Sequence, residues 1–148
     1  MSNQVVPTIN DLYKIAYLNN FPISLTIELN TTCNWRCQHC YIPEHSNKGL
    51  TSDSIKKILR EARELGVYEL VLTGGEITLR LDLVEIVEYA RELGIVNLLS
   101  NASTLNADLV NKLKKLNIRS YSSTVFSMQP HVHDSITRVR GSYFSAIA

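Results

Sequence analysis

Three short segments of the chain repeat one event. Leu65-Gly66-Val67, Leu93-Gly94-Ile95 and Leu116-Asn117-Ile118 each read as a helix end, a left-handed cap and a strand start. The caps lie 28 and 23 residues apart, which is the length of one strand–helix unit. Strands that alternate with helices at that period pair in parallel, because each helix carries the chain back to the end of the sheet where the last strand began. The fold class is therefore α/β, with either an open doubly wound sheet or an arc of a (β/α) barrel.

The segments between the caps agree. Thr51-Ser52-Asp53 supplies N-cap chemistry, and Ile55, Ile58, Leu59, Ala62 and Leu65 then recur at helical spacing. Further helices are expected over Leu81 to Leu93 and Asn106 to Leu116, the latter with Leu109, Val110, Leu113 and Leu116 on one face and Lys112, Lys114 and Lys115 on a solvated one. Strands are expected over Ile23–Leu29, Val67–Leu72 and Ile95–Leu99, with a fourth inside Ile118 to Phe126. A short helix from Asn10 to Leu18 precedes them and should pack on the domain. Residues 1–22 thus form an N-terminal helical extension and residues 23–148 the core domain, with the start of another helix in Gly141 to Ala148.

Chemistry in both architectures collects at the C-terminal ends of the strands. Strand one leads into Cys33, Cys37 and Cys40, strand two into Thr73-Gly74-Gly75-Glu76, strand three into Ser100-Asn101, and strand four into Thr124 to Ser127. Every polar, glycine-rich and cysteine-rich motif falls on one rim.

All three cysteines of the chain lie in Cys33-Asn-Trp-Arg-Cys37-Gln-His39-Cys40. An odd number so close together makes a poor disulfide framework and a better metal or cluster site. Thiolates favour zinc and iron–sulfur clusters. A structural zinc ion closes its shell with four ligands, so one reading is a Cys3His site completed by His39 or His45. The other is a four-iron cluster that leaves one iron open to a further ligand.

The cysteine spacing, with His39 before the last thiol, resembles the signature of the radical S-adenosylmethionine superfamily, and the later motifs resemble its SPASM-type peptide-modifying and maturase branch. The resemblance implies a partial TIM-type barrel, with about four β/α units of an expected six. It also implies a [4Fe–4S] cluster on Cys33, Cys37 and Cys40, with S-adenosylmethionine on the open iron. His39 would lie beside the adenine, and Gly74, Gly75 and Glu76 would receive the ammonium group, with Ile77 where many relatives have proline. Ser100 and Asn101 would approach the ribose, with Ala102 in place of a glycine. Thr124, in place of a serine, would offer its hydroxyl to the methionine or ribose. No further catalytic residue is assigned. His133 and Asp134 read as capping or bracing groups, Arg138 and Arg140 as exposed, and His45 and His131 have no ligand spacing to the cysteines.

The implied function is an enzyme that generates a 5′-deoxyadenosyl radical for hydrogen abstraction, in peptide or cofactor maturation. Alternatives are activation of another enzyme, a small-molecule biosynthetic step or, from another class, a non-catalytic Cys3His zinc-binding module. The partners would be a peptide or small-molecule substrate and an electron donor such as flavodoxin or ferredoxin. Six units are usual in the family, so the chain is expected to be the N-terminal piece of a longer enzyme. Further cysteines for auxiliary clusters would lie in a C-terminal part, and the edge of strand four and the apolar barrel lining would be exposed.

A formal charge of +1, with no like-charged block longer than Lys114-Lys115, argues against nucleic acid or an anionic membrane as partner. Met1 to Pro22 has no apolar run of signal-peptide or membrane-span length, and free thiolates suit a reducing compartment, so the expected location is the cytoplasm.

Overall fold

The computed structural model describes residues 8–147. Four strands, β1 (Ser24–Glu28), β2 (Glu69–Thr73), β3 (Ile95–Leu99) and β4 (Ser120–Ser122), form one parallel sheet in the order β1-β2-β3-β4. A doubly wound sheet reverses its strand order at a switch point, whereas a barrel adds each strand beside the last. The unreversed order makes this sheet an arc of a (β/α) barrel.

Between the strands lie α2 (Ser52–Glu64), α3 (Leu83–Leu93) and α4 (Ala107–Lys115). Their apolar faces meet Leu70, Leu72, Val96 and Leu98, the side chains that alternate onto the helix-facing side of β2 and β3. Ile55 and Leu59 from α2, Ile86 and Val87 from α3, and Leu113 from α4 complete a core whose members are almost fully buried. The other face of the sheet is the concave inside of the arc. It departs from the expected apolar lining, because the row running across it is Thr26, Val71, Asn97 and Ser120. The Asn97 amide donates to Glu69 at 2.8 Å and accepts from the Ser120 hydroxyl at 2.7 Å. These bonds make the inner face compatible with water.

Two of the three expected left-handed caps are present, Gly66 at φ 107° and Asn117 at φ 51°. Gly94 is not one. Its φ of −178° and ψ of −161° are extended, so α3 passes straight into β3. Glycine is required there by closeness instead, since a Cβ would lie 2.3 Å from the Tyr68 carbonyl oxygen. The third helix also begins later than expected, at Leu83, because a 3₁₀ turn over Ile77–Leu79 follows β2 and Asp82 gives its carboxylate to Arg80 rather than to the helix N-terminus.

The N-terminal helix α1 (Ile9–Asn19) forms, started by a reciprocal Thr8–Asp11 capping box and ended by Asn20 at φ 55°. It is less embedded than expected, with Ala16 its one buried residue and Ile9, Tyr13, Ile15, Tyr17 and Leu18 exposed. The first seven residues of the expected extension lie outside the described residues. Beyond β4 come two helices, α5 (Pro130–Thr137) and α6 (Ser142–Ile147), of which sequence reasoning anticipated only the second. No helix among the described residues is long and apolar enough to cross a membrane.

Candidate functional site

The segment from Asn30 to Leu50 has no regular structure; it is closed on itself by its own backbone and positioned by groups from distant parts of the chain. At its base, the Thr31 and Thr32 amides and the Thr32 hydroxyl all donate to the Asn47 carbonyl, at 3.0–3.1 Å. Arg80, whose side chain is 8% exposed, donates to the carbonyls of Leu29, Lys48 and Leu50 while paired with Asp82. At its tip, the Arg36 and Gln38 amides donate to Thr137 and Ile136 at 3.0 and 2.9 Å. Those carbonyls belong to the last turn of α5, where a helix leaves acceptors without internal partners. The cysteine loop is thus seated on the C-terminus of a helix about a hundred residues away.

Cys33, Cys37 and Cys40 are all unpaired thiols, and all line a cavity of 290 Å³ at the C-terminal ends of the strands. Burial pushes the Cys33 and Cys37 thiols above their ordinary range. His39, Gly74, Gly75, Ser100, Asn101 and Thr124 line the same cavity, so six of the seven residues expected to contact a cofactor meet the three cysteines there.

Gly74 and Gly75 are required by a backbone crossing. The Gly75 and Glu76 amides donate to the Asn30 and Thr32 carbonyls at 2.9 and 2.8 Å, which draws the loop after β2 against the loop after β1. A Cβ on Gly75 would sit 2.4 Å from the Thr31 oxygen and 2.5 Å from the Thr32 oxygen. Backbone is thereby left as the cavity wall.

The seventh residue, Glu76, turns the other way. It is fully buried and does not line the cavity. Its Oε1 accepts from the Thr78 amide at 2.9 Å, the Thr78 hydroxyl at 2.5 Å and the Ser100 hydroxyl at 2.6 Å, and its Oε2 accepts from the Asn101 amide at 2.6 Å. The carboxylate therefore joins the loops after β2 and β3 from beneath.

Asn101 is similarly committed. Its side-chain oxygen accepts from the Ser103 amide and hydroxyl at 2.9 and 2.6 Å, and its Nδ2 donates to Asn34 at 2.9 Å and faces Cys33 Sγ at 3.8 Å. Ala102, which follows, sits at φ 62°, the conformation that makes glycine the natural residue of such a turn. Thr124 is exposed on the far wall.

An aromatic group supports the loop from below. His133 is fully buried, with its ring 5.4 Å from Trp35, 5.6 Å from Phe126 and 5.8 Å from Tyr143. Its Nδ1 accepts the Phe126 amide at 3.3 Å. Asp134 accepts from the Gly141 and Tyr143 amides at 2.6 and 2.9 Å, and the two bonds hold its carboxyl below the usual range, the Tyr143 bond most. Bracing and capping are the roles this geometry gives His133 and Asp134, while Arg138 and Arg140 are exposed as expected. Phe126, which meets His39 edge to face at 4.9 Å, and Trp35, Arg80 and Asn47 were not legible as site residues. The two histidines weighed as a fourth zinc ligand lie apart in role, His39 against Phe126 and His45 with Nε2 3.5 Å from Cys40 Sγ. Among the described residues, no group of three or more His, Cys, Asp or Glu side chains is placed to hold a single metal ion.

The chain is similar to several known proteins. A PqqA peptide cyclase of Bradyrhizobium diazoefficiens is 36% identical over 96 residues, covering 62% of this chain and 25% of that protein. A probable GTP 3′,8-cyclase of Thermoplasma volcanium is 34% identical over 121 residues, covering 79% of this chain and 37% of that protein. The chain thus spans between a quarter and two-fifths of the length of these relatives. In three dimensions it is similar to Streptococcus suis SuiB, solved bound to precursor peptide SuiA, with a TM-score of 0.76 at 19% identity over 97% of this chain and 36% of that one. The sequence pattern that defines the Radical SAM superfamily matches residues 27–147, which include β2, β3, β4, the end of β1 and every cysteine, and the chain belongs to that superfamily.

Proposed function

We propose that Cys33, Cys37 and Cys40 hold a [4Fe–4S] cluster, that S-adenosylmethionine occupies its open iron, and that the protein acts as a radical enzyme in peptide or cofactor maturation. The observation that carries this is the meeting of three free thiols and a bare glycine backbone on one cavity at the strand C-termini. The donor set fits the group, because three thiolates and no fourth cysteine satisfy three irons of a cubane and leave the last open. Bound there, the cluster supplies one electron for cleaving the sulfonium carbon–sulfur bond, and so the radical that takes a hydrogen atom from the substrate.

The chain's own residues bind, orient and enclose. Thr73, Gly74 and Gly75 present backbone to the cavity, which suits the ammonium group of the methionine part. Glu76 holds that wall in place from behind rather than meeting the cofactor. His39 and Phe126 offer ring edges for the adenine, and the exposed Thr124 hydroxyl is free to meet a polar group. Ser100 and Asn101 form the adjoining wall, where the ribose would lie. Residues 23–148 serve as the core domain and residues 1–22 as an extension to it, and free thiols in the site suit the cytoplasm. A low-potential donor such as flavodoxin or ferredoxin would reduce the cluster.

A peptide substrate is favoured by the likeness in fold to SuiB and in sequence to the peptide cyclase. The GTP cyclase similarity, which covers more of the chain, favours a small-molecule substrate as the second reading. The test of the cofactor site is anaerobic reconstitution with iron and sulfide, followed by EPR of the reduced protein with and without S-adenosylmethionine. A [4Fe–4S] signal that changes on adding S-adenosylmethionine is expected, together with its loss in Cys33→Ala, Cys37→Ala and Cys40→Ala. Reductive cleavage of S-adenosylmethionine that persists in any of these variants would overturn the assignment.

A further inference from the structure

Two side chains outside the cysteine motif point nitrogens at its sulfurs. Asn101 Nδ2 lies 3.8 Å from Cys33 Sγ, and the orientation of the amide is settled by its other end. Its Oδ1 accepts the Ser103 backbone N–H at 2.9 Å, so a flipped amide would set its NH2 against that N–H. The residue is fixed from its backbone too, since the Asn101 N–H is held by Glu76 Oε2 at 2.6 Å. The Trp35 amide adds a second donor to Cys33 at 3.4 Å. On the other flank, His45 Nε2 is 3.5 Å from Cys40 Sγ. A metal-bound thiolate carries no proton, so in a ligated site the ring nitrogen must be the donor.

Hydrogen bonds to cluster sulfurs stabilise the more negative, reduced form over the oxidised one, and second-shell donors of this kind tune metal centres. Resting on the cluster reading above, we propose that Asn101 and His45 are positioning residues which, by donating to Cys33 and Cys40, raise the reduction potential of the cluster. This gives Asn101 a task other than the ribose contact that its motif implied. It also gives a task to His45, which has no ligand spacing to the cysteines. The effect falls on electron transfer into the site, before any substrate is touched.

The experiment is an anaerobic redox titration, followed by EPR, of the reconstituted chain and of Asn101→Ala, Asn101→Asp, His45→Phe and His45→Gln. Asn101→Ala and His45→Phe should each move the reduced-to-oxidised ratio at fixed potential about tenfold towards oxidised, which is about 59 mV for one electron. Asn101→Asp keeps an acceptor for Ser103 but turns an oxygen towards the thiolate, and should move it further. His45→Gln keeps an N–H and should restore the wild-type value. Full iron content with an unchanged midpoint in both Asn101→Ala and His45→Phe overturns this inference and leaves the cluster assignment standing. No cluster in the wild-type protein overturns the assignment and the inference together. Should Asn101→Ala take up no iron, pulsed EPR of wild-type protein carrying nitrogen-15 asparagine decides the matter. A nitrogen coupling to the reduced cluster that Asn101→Asp lacks supports the bond, whereas its absence from the wild-type protein, or its persistence in Asn101→Asp through Asn34 beside Cys33, overturns it.

Discussion

Glu76→Gln isolates the carboxylate that joins two rim loops without changing its size. Four donors converge on Glu76, three on Oε1 and one on Oε2. A glutamine can present its oxygen to only one set. With the oxygen towards Thr78 and Ser100, its NH2 meets the Asn101 N–H, so one charge-assisted bond of about 2 kcal/mol is lost. The other three fall from the charged to the neutral range, while the cost of holding a buried charge is relieved, which leaves a net loss of about 2–3 kcal/mol. For a domain of this length that lowers the melting temperature by about 4–12 °C. Thermal and urea unfolding of the two proteins at neutral pH would measure it, and Ser100→Ala should cost less in the Glu76→Gln background than alone, because the two share a bond. A melting temperature within 2 °C of wild type, or additive losses, would refute the reasoning.

Three other perturbations test separate parts of the structure. Gly75→Ala drives a Cβ into two backbone oxygens and should cost about 3 kcal/mol in strain and lost Gly75–Asn30 and Glu76–Thr32 bonds, read by urea unfolding, with reduced iron uptake alongside. Burial pushes the Tyr121 phenol up to about 12, and Glu28 holds the Tyr41 phenol at about 12. Both folded values are raised above the ordinary phenol value of about 10, so their stabilisation is complete below pH ~10 and is lost as pH rises towards ~12. Unfolding free energies across that window should fall, and Tyr121→Phe should flatten the slope. β4 pairs with β3 alone among the described residues and borders a groove lined by Leu105, Val110, Leu113 and Ile118, so the chain by itself should self-associate. A monodisperse monomer in light scattering would contradict that.

How much of this was legible from sequence follows from the range of the interactions involved. The strand–helix rhythm was readable because caps and apolar spacing act within a few residues, and Gly66 and Asn117 behave as such caps. Gly94 was misread for an instructive reason. A glycine after a helix has two causes, left-handed dihedrals or a close neighbour, and here the neighbour is Tyr68, which only the folded sheet brings near. Glu76 was placed in the right loop but on the wrong side of it, because its direction depends on Thr78, Ser100 and Asn101. α5 was not readable at all. Eight residues with two histidines, an aspartate and a serine make a weak helix alone, and its last turn is held by the Arg36 and Gln38 amides.

The same distinction explains how a long irregular loop can place thiols with precision. The bonds inside Asn30 to Leu50 tie the loop only to itself, while Arg80 binds its base, α5 its tip, and Asn101 reaches its first cysteine. Each of these comes from a different β/α unit, and each depends on the sheet to bring it to the rim. The cysteine motif therefore states what the site is made of, while the barrel arc states where those atoms stand. A substitution far from the motif, at Arg80 or in the last turn of α5, reaches the thiols through the backbone they hang from, and so belongs to the site as much as its neighbours do.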